Sequence, residues 1–344
     1  MHSAKVSCII ATYNTKENIL IEAVKSILNQ TYRNFELIII DDGSEIPIVK
    51  TLNSIKDNRL KIITNPRNLG VTYSRNIGIE HMTGKYMAVM DADDVSLPVR
   101  FERQVDFLER HRRFSLVSCQ MAFIADDQRN NPFIKIPNVN AKYQVWLFWD
   151  NARPFPHGPA MIRKEFLDNH HIKYNEKYKK AMDYRLWVDC AQHGRFKILK
   201  DYLYLYRVHN QQISKAGSRI QAAFADMICV DQLINIGLDP TEDEKNVHLA
   251  LRDSDAYISP ENTYLWVKKV IKANKETNYY KNRYFANELK YRFFKMCYKN
   301  YILKRDMEYR GFFLASINIV VIFRSISARI VLLLNKEKPN NLRV

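Results

Sequence analysis

The stretches KVSCIIAT (5–12), FELIIIDD (35–42) and KYMAVMD (85–91) are apolar at nearly every position over the length of a strand. Side chains alternate between the two faces of a strand, so a strand apolar throughout must be covered on both faces, as in a parallel sheet flanked by helices. Between the first two runs, TKENILIEAVKSILNQ places Ile19, Ala23, Val24, Ile27 and Leu28 on one helical stripe, which makes 5–42 a β-α-β unit. RLKIIT (59–64) adds a strand, and VTYSRNIGIEHM (71–82) reads as the helix leading to KYMAVMD. The expected class is α/β, with a Rossmann-like sheet and helices on both faces. Such a sheet binds ligands at the carboxyl ends of its strands.

Polar residues collect at those ends: Tyr13-Asn14, Asp41-Asp42, and Asp91, Asp93 and Asp94, three carboxylates within four residues. Carboxylate oxygens at a strand end suit Mg²⁺ or Mn²⁺, which can bridge two phosphate oxygens of a nucleotide. A plainer reading has Asp94 as N-cap of a helix over VSLPVRFERQ, which leaves two carboxylates unexplained. DDGS (41–44) is explained by a tight turn alone, yet it is a second acidic strand end in one sheet.

From 121 to 215 the pattern is mixed. Turn signals stand at Asn130-Asn131-Pro132, a Pro-rich loop RPFPHGP covers 153–159, AMDYRLWVDCAQHG (181–194) reads as a helix closed by Gly194, and YLYLYRVH (202–209) alternates like a strand. Beyond 216 nearly everything is helical. The chain therefore divides into 1–120, 121–215 and a mainly helical extension, 216–344. Its five cysteines are odd in number and never form CxxC, which argues against a disulfide framework or zinc site and for a reducing compartment. The start, MHSAK, runs straight into a strand without the marks of a secretion signal.

VSCIIATYN, NQTYRNFELIIIDDGS, NLGVTYSRNIGI and GKYMAVMDADDVSLPVRFERQVDFL, in that order and spacing, resemble the nucleotide-binding half of the family 2 inverting glycosyltransferases, which have the GT-A fold. The likeness continues through HGPAMIRKEFL, AMDYRLWVDCAQHG and YRVHNQQIS, so that it covers about residues 4–214. It implies that Tyr13 and Asp42, with Ala11 and Thr12 beside them, hold the uracil of a UDP-sugar. Arg75 matches a basic position near the donor pyrophosphate. Asp91, followed by Ala92, matches the carboxylate facing the ribose, and Asp93 the one that binds a divalent metal, Mn²⁺ or Mg²⁺. His209 matches a histidine that completes the metal or pyrophosphate site. Where the family reads Glu-Asp ahead of a Tyr-x-Leu-Trp helix, this chain reads Met182-Asp183, so Asp183 keeps the position of the general base, while Arg185 departs from the commoner acidic residue and is a candidate to tune the acceptor. Taken alone, Asp183 also fits an N-cap. His157 is a candidate acceptor residue or an incidental loop histidine. Trp187 either stacks on an acceptor sugar or packs beneath the base.

The formal net charge is +16, and residues 260–344 hold 18 Lys and Arg against 6 Asp and Glu. In 279–313 the cations alternate with Tyr and Phe; the chain then turns apolar, but its longest charge-free run, 311–323, is shorter than the ~20 residues of a bilayer span. A helix lying in the headgroup region fits this composition, with an ordinary packed cap as the alternative. The resemblance implies a lipid-linked (polyprenyl diphosphate) glycan acceptor, a role in bacterial O-antigen or capsule assembly, and a cytoplasmic enzyme held peripherally at the inner membrane face. Two other classes fit the sequence less well. A nucleotidyltransferase would need a Gly-rich loop after the first strand, which ATYNTKEN lacks. A nucleic-acid-binding tail is expected to be absent, because the acidic crevice speaks against it.

Overall fold

In the computed structural model, which describes residues 4–125, 133–134, 143–149, 155–208, 218–252 and 258–316, the apolar runs form a parallel block. Strands β1 (Val6–Thr12), β2 (Phe35–Asp41), β3 (Leu60–Thr64) and β4 (Tyr86–Asp91) lie in the order β3-β2-β1-β4, all parallel. Chain order reverses around β1, which opens a crevice at the carboxyl ends of β1 and β4. The sheet continues through β8 (Met161–Arg163), antiparallel to β4, then β6 (Leu116–Ala125), β9 (Phe196–Val208) and β5 (Val95–Ser96), with β7 (Phe133–Ile134) beside β6.

Burial on both faces, inferred from the unbroken apolar runs, is what the structure has. Cys8, Ile10, Leu37, Ile39, Ala88 and Met90 face a core built with helices α1 (Glu17–Leu28) and α4 (Arg100–Arg110). The alternate residues Ile9, Ile38, Ile40, Met87 and Val89 face the other core. There they meet Ile77 and Ile79 of α3 (Val71–His81), Phe166 of α6 (Lys164–Asn169) and Leu186, Trp187 and Cys190 of α7 (Met182–His193). Short helices α2 (Ile48–Thr51) and α5 (Tyr143–Leu147) complete this region. All five cysteines are buried, and none of them forms a disulfide.

The chain divides into two compact units, Met1–Ile228 and Cys229–Val344, the division falling within α8 (Ser218–Asp231). The second unit contains α9 (Glu242–Arg252), α10 (Pro260–Thr277), α11 (Asn282–Tyr298) and α12 (Arg310–Ser316). Helix α10 starts where Ser259 accepts from the Asn262 amide, with Pro260 in the first turn, and ends at Asn278 in the left-handed conformation. Among the aromatic residues that alternate with cations in the sequence, Tyr280, Phe285, Phe293 and Phe294 are buried, with Tyr280 stacked on Phe285 at 5.0 Å, while Tyr284, Tyr291 and Tyr298 are half-buried. Among the described residues no helix is long and apolar enough to cross a membrane.

Candidate active site

The crevice is built from three strand ends held in register: Thr12 lies beside Asp41, and Ala11 beside Asp91. After β1 the chain turns at Asn14, in the left-handed region (φ 50). Its amide donates to Ser44 Oγ at 3.0 Å, and its side-chain oxygen accepts from the Glu45 amide at 2.9 Å, so the Tyr13-Asn14 turn is tied to the DDGS turn. Tyr13 is left 46% exposed at the rim, where its ring is free to lie on a planar base.

The two aspartates of the DDGS turn are both committed to the protein. Asp41 accepts from the amides of Ser44 (3.0 Å) and Ile48 (3.2 Å). Asp42, buried at 3% exposure, accepts from Asn65 Nδ2 (2.8 Å) and the amides of Leu69 (3.0 Å) and Gly70 (2.8 Å). Three bonds leave the Asp42 carboxylate one lone-pair site, so its main work is to hold loop 65–70 and the start of α3.

Helix α3 carries Arg75, buried at 2% exposure, whose Nη2 pairs with Asp91 Oδ1. The guanidinium lies 5.8 Å from the Tyr174 ring centroid, and its buried Nε has no hydrogen-bond partner among the described residues. Asp91 is pinned at its backbone, whose amide donates to the Tyr204 hydroxyl at 3.2 Å. Ala92 is buried among core side chains, so only its backbone can serve a donor.

The turn after β4 is clamped by Arg207: its Nε donates to the Asp93 carbonyl at 2.8 Å, its amide to Asp94 Oδ1 at 2.8 Å, and its Nη2 pairs with Glu22. Asp94 therefore does not cap α4, as the sequence reading allowed. That helix starts at Arg100, and Asp94, 1% exposed, binds the β9 backbone instead. Burial, then the charges of Asp91 and Asp93, push the Asp94 carboxyl well above its ordinary value; its Oδ2 makes no hydrogen bond among the described residues, although the Tyr204 hydroxyl stands near enough to favour the charged form.

His157 reaches the same place. Its Nε2 is 2.9 Å from the Tyr174 hydroxyl, and burial, with the charge of Arg75, pushes the imidazole down to about 3, so it is neutral at physiological pH. Burial pushes the Tyr174 phenol up to about 12, so it keeps its proton. Asp183 lies in the first turn of α7, partly exposed, with Oδ1 accepting from the Tyr184 amide at 2.8 Å. Met182, in place of the family's acid, contacts Thr72 Oγ1 through its sulfur at 3.6 Å and so ties the start of α7 to α3.

Of the acceptor candidates, Trp187 takes the packed of its two readings, and Arg185 is engaged within its own helix. Trp187 is wholly buried against Phe155, His157 and Phe196, so it packs beneath the site and offers no face to a sugar. Arg185 pairs with Asp189 one turn along α7, at 2.6 Å, and lies over the Tyr178 ring. His209 lies outside the described residues. Tyr174, Tyr204, Arg207 and Asn65 were missed. The alternation in YLYLYRVH marks one face of a strand, which would have flagged Tyr204, but nothing around Tyr174 marks it in sequence.

The glycosyl transferase family 2 model matches residues 7–171. An uncharacterized glycosyltransferase of Methanocaldococcus jannaschii is 33% identical over 217 residues, covering 61% of this chain and 73% of that protein. The chain belongs to glycosyltransferase family 2. An uncharacterized glycosyltransferase of Haemophilus influenzae is 32% identical over 238 residues, 65% of this glycosyltransferase and 71% of its relative. Among solved structures, S. aureus TarS 1-349, in complex with UDP-GlcNAc, aligns over 90% of this chain and 91% of that one, with TM-score 0.57 and 18% identity. That likeness speaks for the fold, which is GT-A.

A divalent ion fits the donor chemistry of the crevice. The available ligands are carboxylate oxygens, and a buried Asp94 oxygen lacks a partner. No group of three His, Cys, Asp or Glu among the described residues is placed to hold an ion alone, so the remaining ligands would come from diphosphate and water.

Proposed function

We propose that this glycosyltransferase moves a sugar, with inversion at the anomeric carbon, from a UDP-sugar to a hydroxyl of a lipid-linked glycan during assembly of a bacterial surface polysaccharide. The reading is supported by the Arg75–Asp91 pair at the switch-point crevice, followed by the 93–94 turn, and by the contact of Met182 with Thr72 that ties α7, whose first turn holds Asp183, to α3. The UDP-sugar donor is supported by the position of Tyr13 and by TarS, whose structure was determined with UDP-GlcNAc.

The donor base lies on Tyr13 at the β1 rim, the ribose near Asp91, and the diphosphate toward Arg75. Asp93, with Asp91 beside it, would hold Mn²⁺ or Mg²⁺, and the bound ion supplies positive charge to the leaving diphosphate. Asp183 accepts the proton of the acceptor hydroxyl as that oxygen attacks, acting from the face opposite the leaving group. His157, neutral and held by Tyr174, offers a hydrogen bond without adding charge.

The test is UDP release and sugar transfer with a panel of UDP-sugars and a lipid-linked acceptor extract. Asp183→Asn keeps the shape of the helix start and removes the base, so turnover should fall about 10²–10⁴-fold with little change in donor affinity. Turnover within twofold of wild type in a folded variant would place the base elsewhere, and use of GDP- or CMP-sugars alone would refute the uridine donor.

A further inference from the structure

The second unit carries a tip where apolar and basic side chains stand outside together. After α11 the chain makes a π-helical turn over Lys299–Leu303, reverses at Arg305 (φ 59), makes a short turn at Met307–Tyr309 and enters α12. Tyr309 pins this reversal, being buried with its hydroxyl bonded to the Ile258 carbonyl just before α10. Around the pin, Ile302 (44%), Leu303 (64%), Met307 (62%) and Leu314 (57%) are exposed. On α10, Leu265 is 55% exposed, and the neighbouring Tyr264 ring, itself 42% exposed, lies 5.9 Å from Phe312 of α12, which links α10 to the tip. Lys304, Arg305 and Arg310 are interleaved with them and exposed. The acids of the segment are Asp306, whose carboxylate accepts from the Glu308 amide, and Glu308.

Exposed aliphatic residues are ordinary when scattered; a contiguous set rimmed by cations marks a docking surface. Two features choose its occupant. Residues 260–344 hold 18 Lys and Arg against 6 Asp and Glu, so the partner is anionic. Aliphatic side chains do not stack on bases and would stay wet against nucleic acid, whereas a lipid surface takes both the aliphatic groups and the cations. The sequence past the tip, INIVVIFRSISARIVLLLN (317–335), has the same character, with Arg324 and Arg329 its charged residues.

We infer that the tip from Ile302 to Leu314, with Tyr264 and Leu265 beside it, docks on an anionic lipid surface. Its aliphatic side chains enter the boundary between headgroups and acyl chains, and Lys304, Arg305 and Arg310 stay with the lipid phosphates. The inference extends the proposed lipid-linked acceptor, but its test reads vesicle binding without donor or transfer, so the two can fail separately.

The full chain is floated with phosphatidylcholine vesicles with and without phosphatidylglycerol. Binding is expected only with phosphatidylglycerol and should weaken with salt. Leu303→Asn with Met307→Asn should weaken it at least about tenfold. Neutralising Lys304, Arg305 and Arg310 to Gln should weaken it about a hundredfold, at roughly fivefold per cation. The neutralised triple changes only exposed side chains and reads the same question if the Asn pair loosens the tip. No binding by the wild type, unchanged binding in the triple, equal binding to neutral vesicles, or displacement of vesicles by a single-stranded oligonucleotide would each overturn the inference.

Discussion

At Gly158 a Cβ would stand 2.5 Å from the Tyr204 hydroxyl and 2.9 Å from Asp91 Oδ2, closer than real Cβ atoms come. Tyr204 cannot retreat, being buried with its hydroxyl receiving the Asp91 amide, so the partly exposed Asp91 side chain, paired with Arg75, is the neighbour that must give way. Gly158→Ala should therefore displace Asp91 and weaken UDP binding by about tenfold, since overpacking costs ~1–3 kcal/mol; calorimetry of UDP binding beside the melting temperature separates this from general loss of fold. Candidate residues stand out in the sequence where a short motif carries them, as at Asp91, Asp93 and Asp183. Side-chain direction does not. Trp187 follows Asp183 by about one helical turn, but whether that face meets solvent depends on Phe155 and Phe196 from distant segments. Asp94 had a local explanation as a cap, and the longer-range bond to the Arg207 amide displaced it.

The parallel strands and helices α1 and α7 lie where their patterns put them, because each buries the apolar face its own sequence declares, whereas α3 lies where expected but buries Thr72, Ser74, Arg75, Asn76 and Gly78. The function of α3 was less legible. Its packing on β1 is so close that a Cβ at Gly78 would meet Ile9 Cγ2 at 2.4 Å, and its first turn hangs from Asp42 through the Leu69 and Gly70 amides. The acid expected to meet uracil thus also places the helix that carries Arg75. In Asp42→Asn an amide N–H₂ would face one of those backbone donors, at a cost of about 1–3 kcal/mol to the loop. Hydrogen exchange at the Leu69 and Gly70 amides should accelerate, and UDP affinity should fall. Unaltered exchange at both amides would show that the loop is held without the carboxylate.

At the scale of the molecule, the first unit separates its stabilising charges from its working ones. Far from the crevice, at the amino ends of the strands, buried Glu36 of β2 accepts from Ser7 of β1 (2.6 Å), Lys61 of β3 (2.7 Å) and the Thr83 amide (2.8 Å) and hydroxyl (2.7 Å) ahead of β4. Burial alone would raise its carboxyl, but the bonds from Lys61, Ser7 and Thr83 outweigh burial and hold it well below the ordinary glutamate value of 4.5. A carboxyl depressed in the fold contributes stability that is fully present above the unfolded value and fades as the pH falls below it. Glu36→Gln should lower stability by about 2 kcal/mol at neutral pH. In melting curves the gap to wild type should then close as the pH drops below 4.5. A gap that stays constant into acid would contradict this clamp. The crevice-end carboxylates belong to the proposed donor site, and they are tested most directly by calorimetric titration of UDP, with and without Mn²⁺, into wild type and Asp93→Ala. Wild type should bind UDP more tightly with Mn²⁺, and the variant should lose that gain while keeping its melting temperature. Absence of UDP binding by the wild type under both conditions, or the same Mn²⁺ gain in the variant, would contradict a donor site at these strand ends.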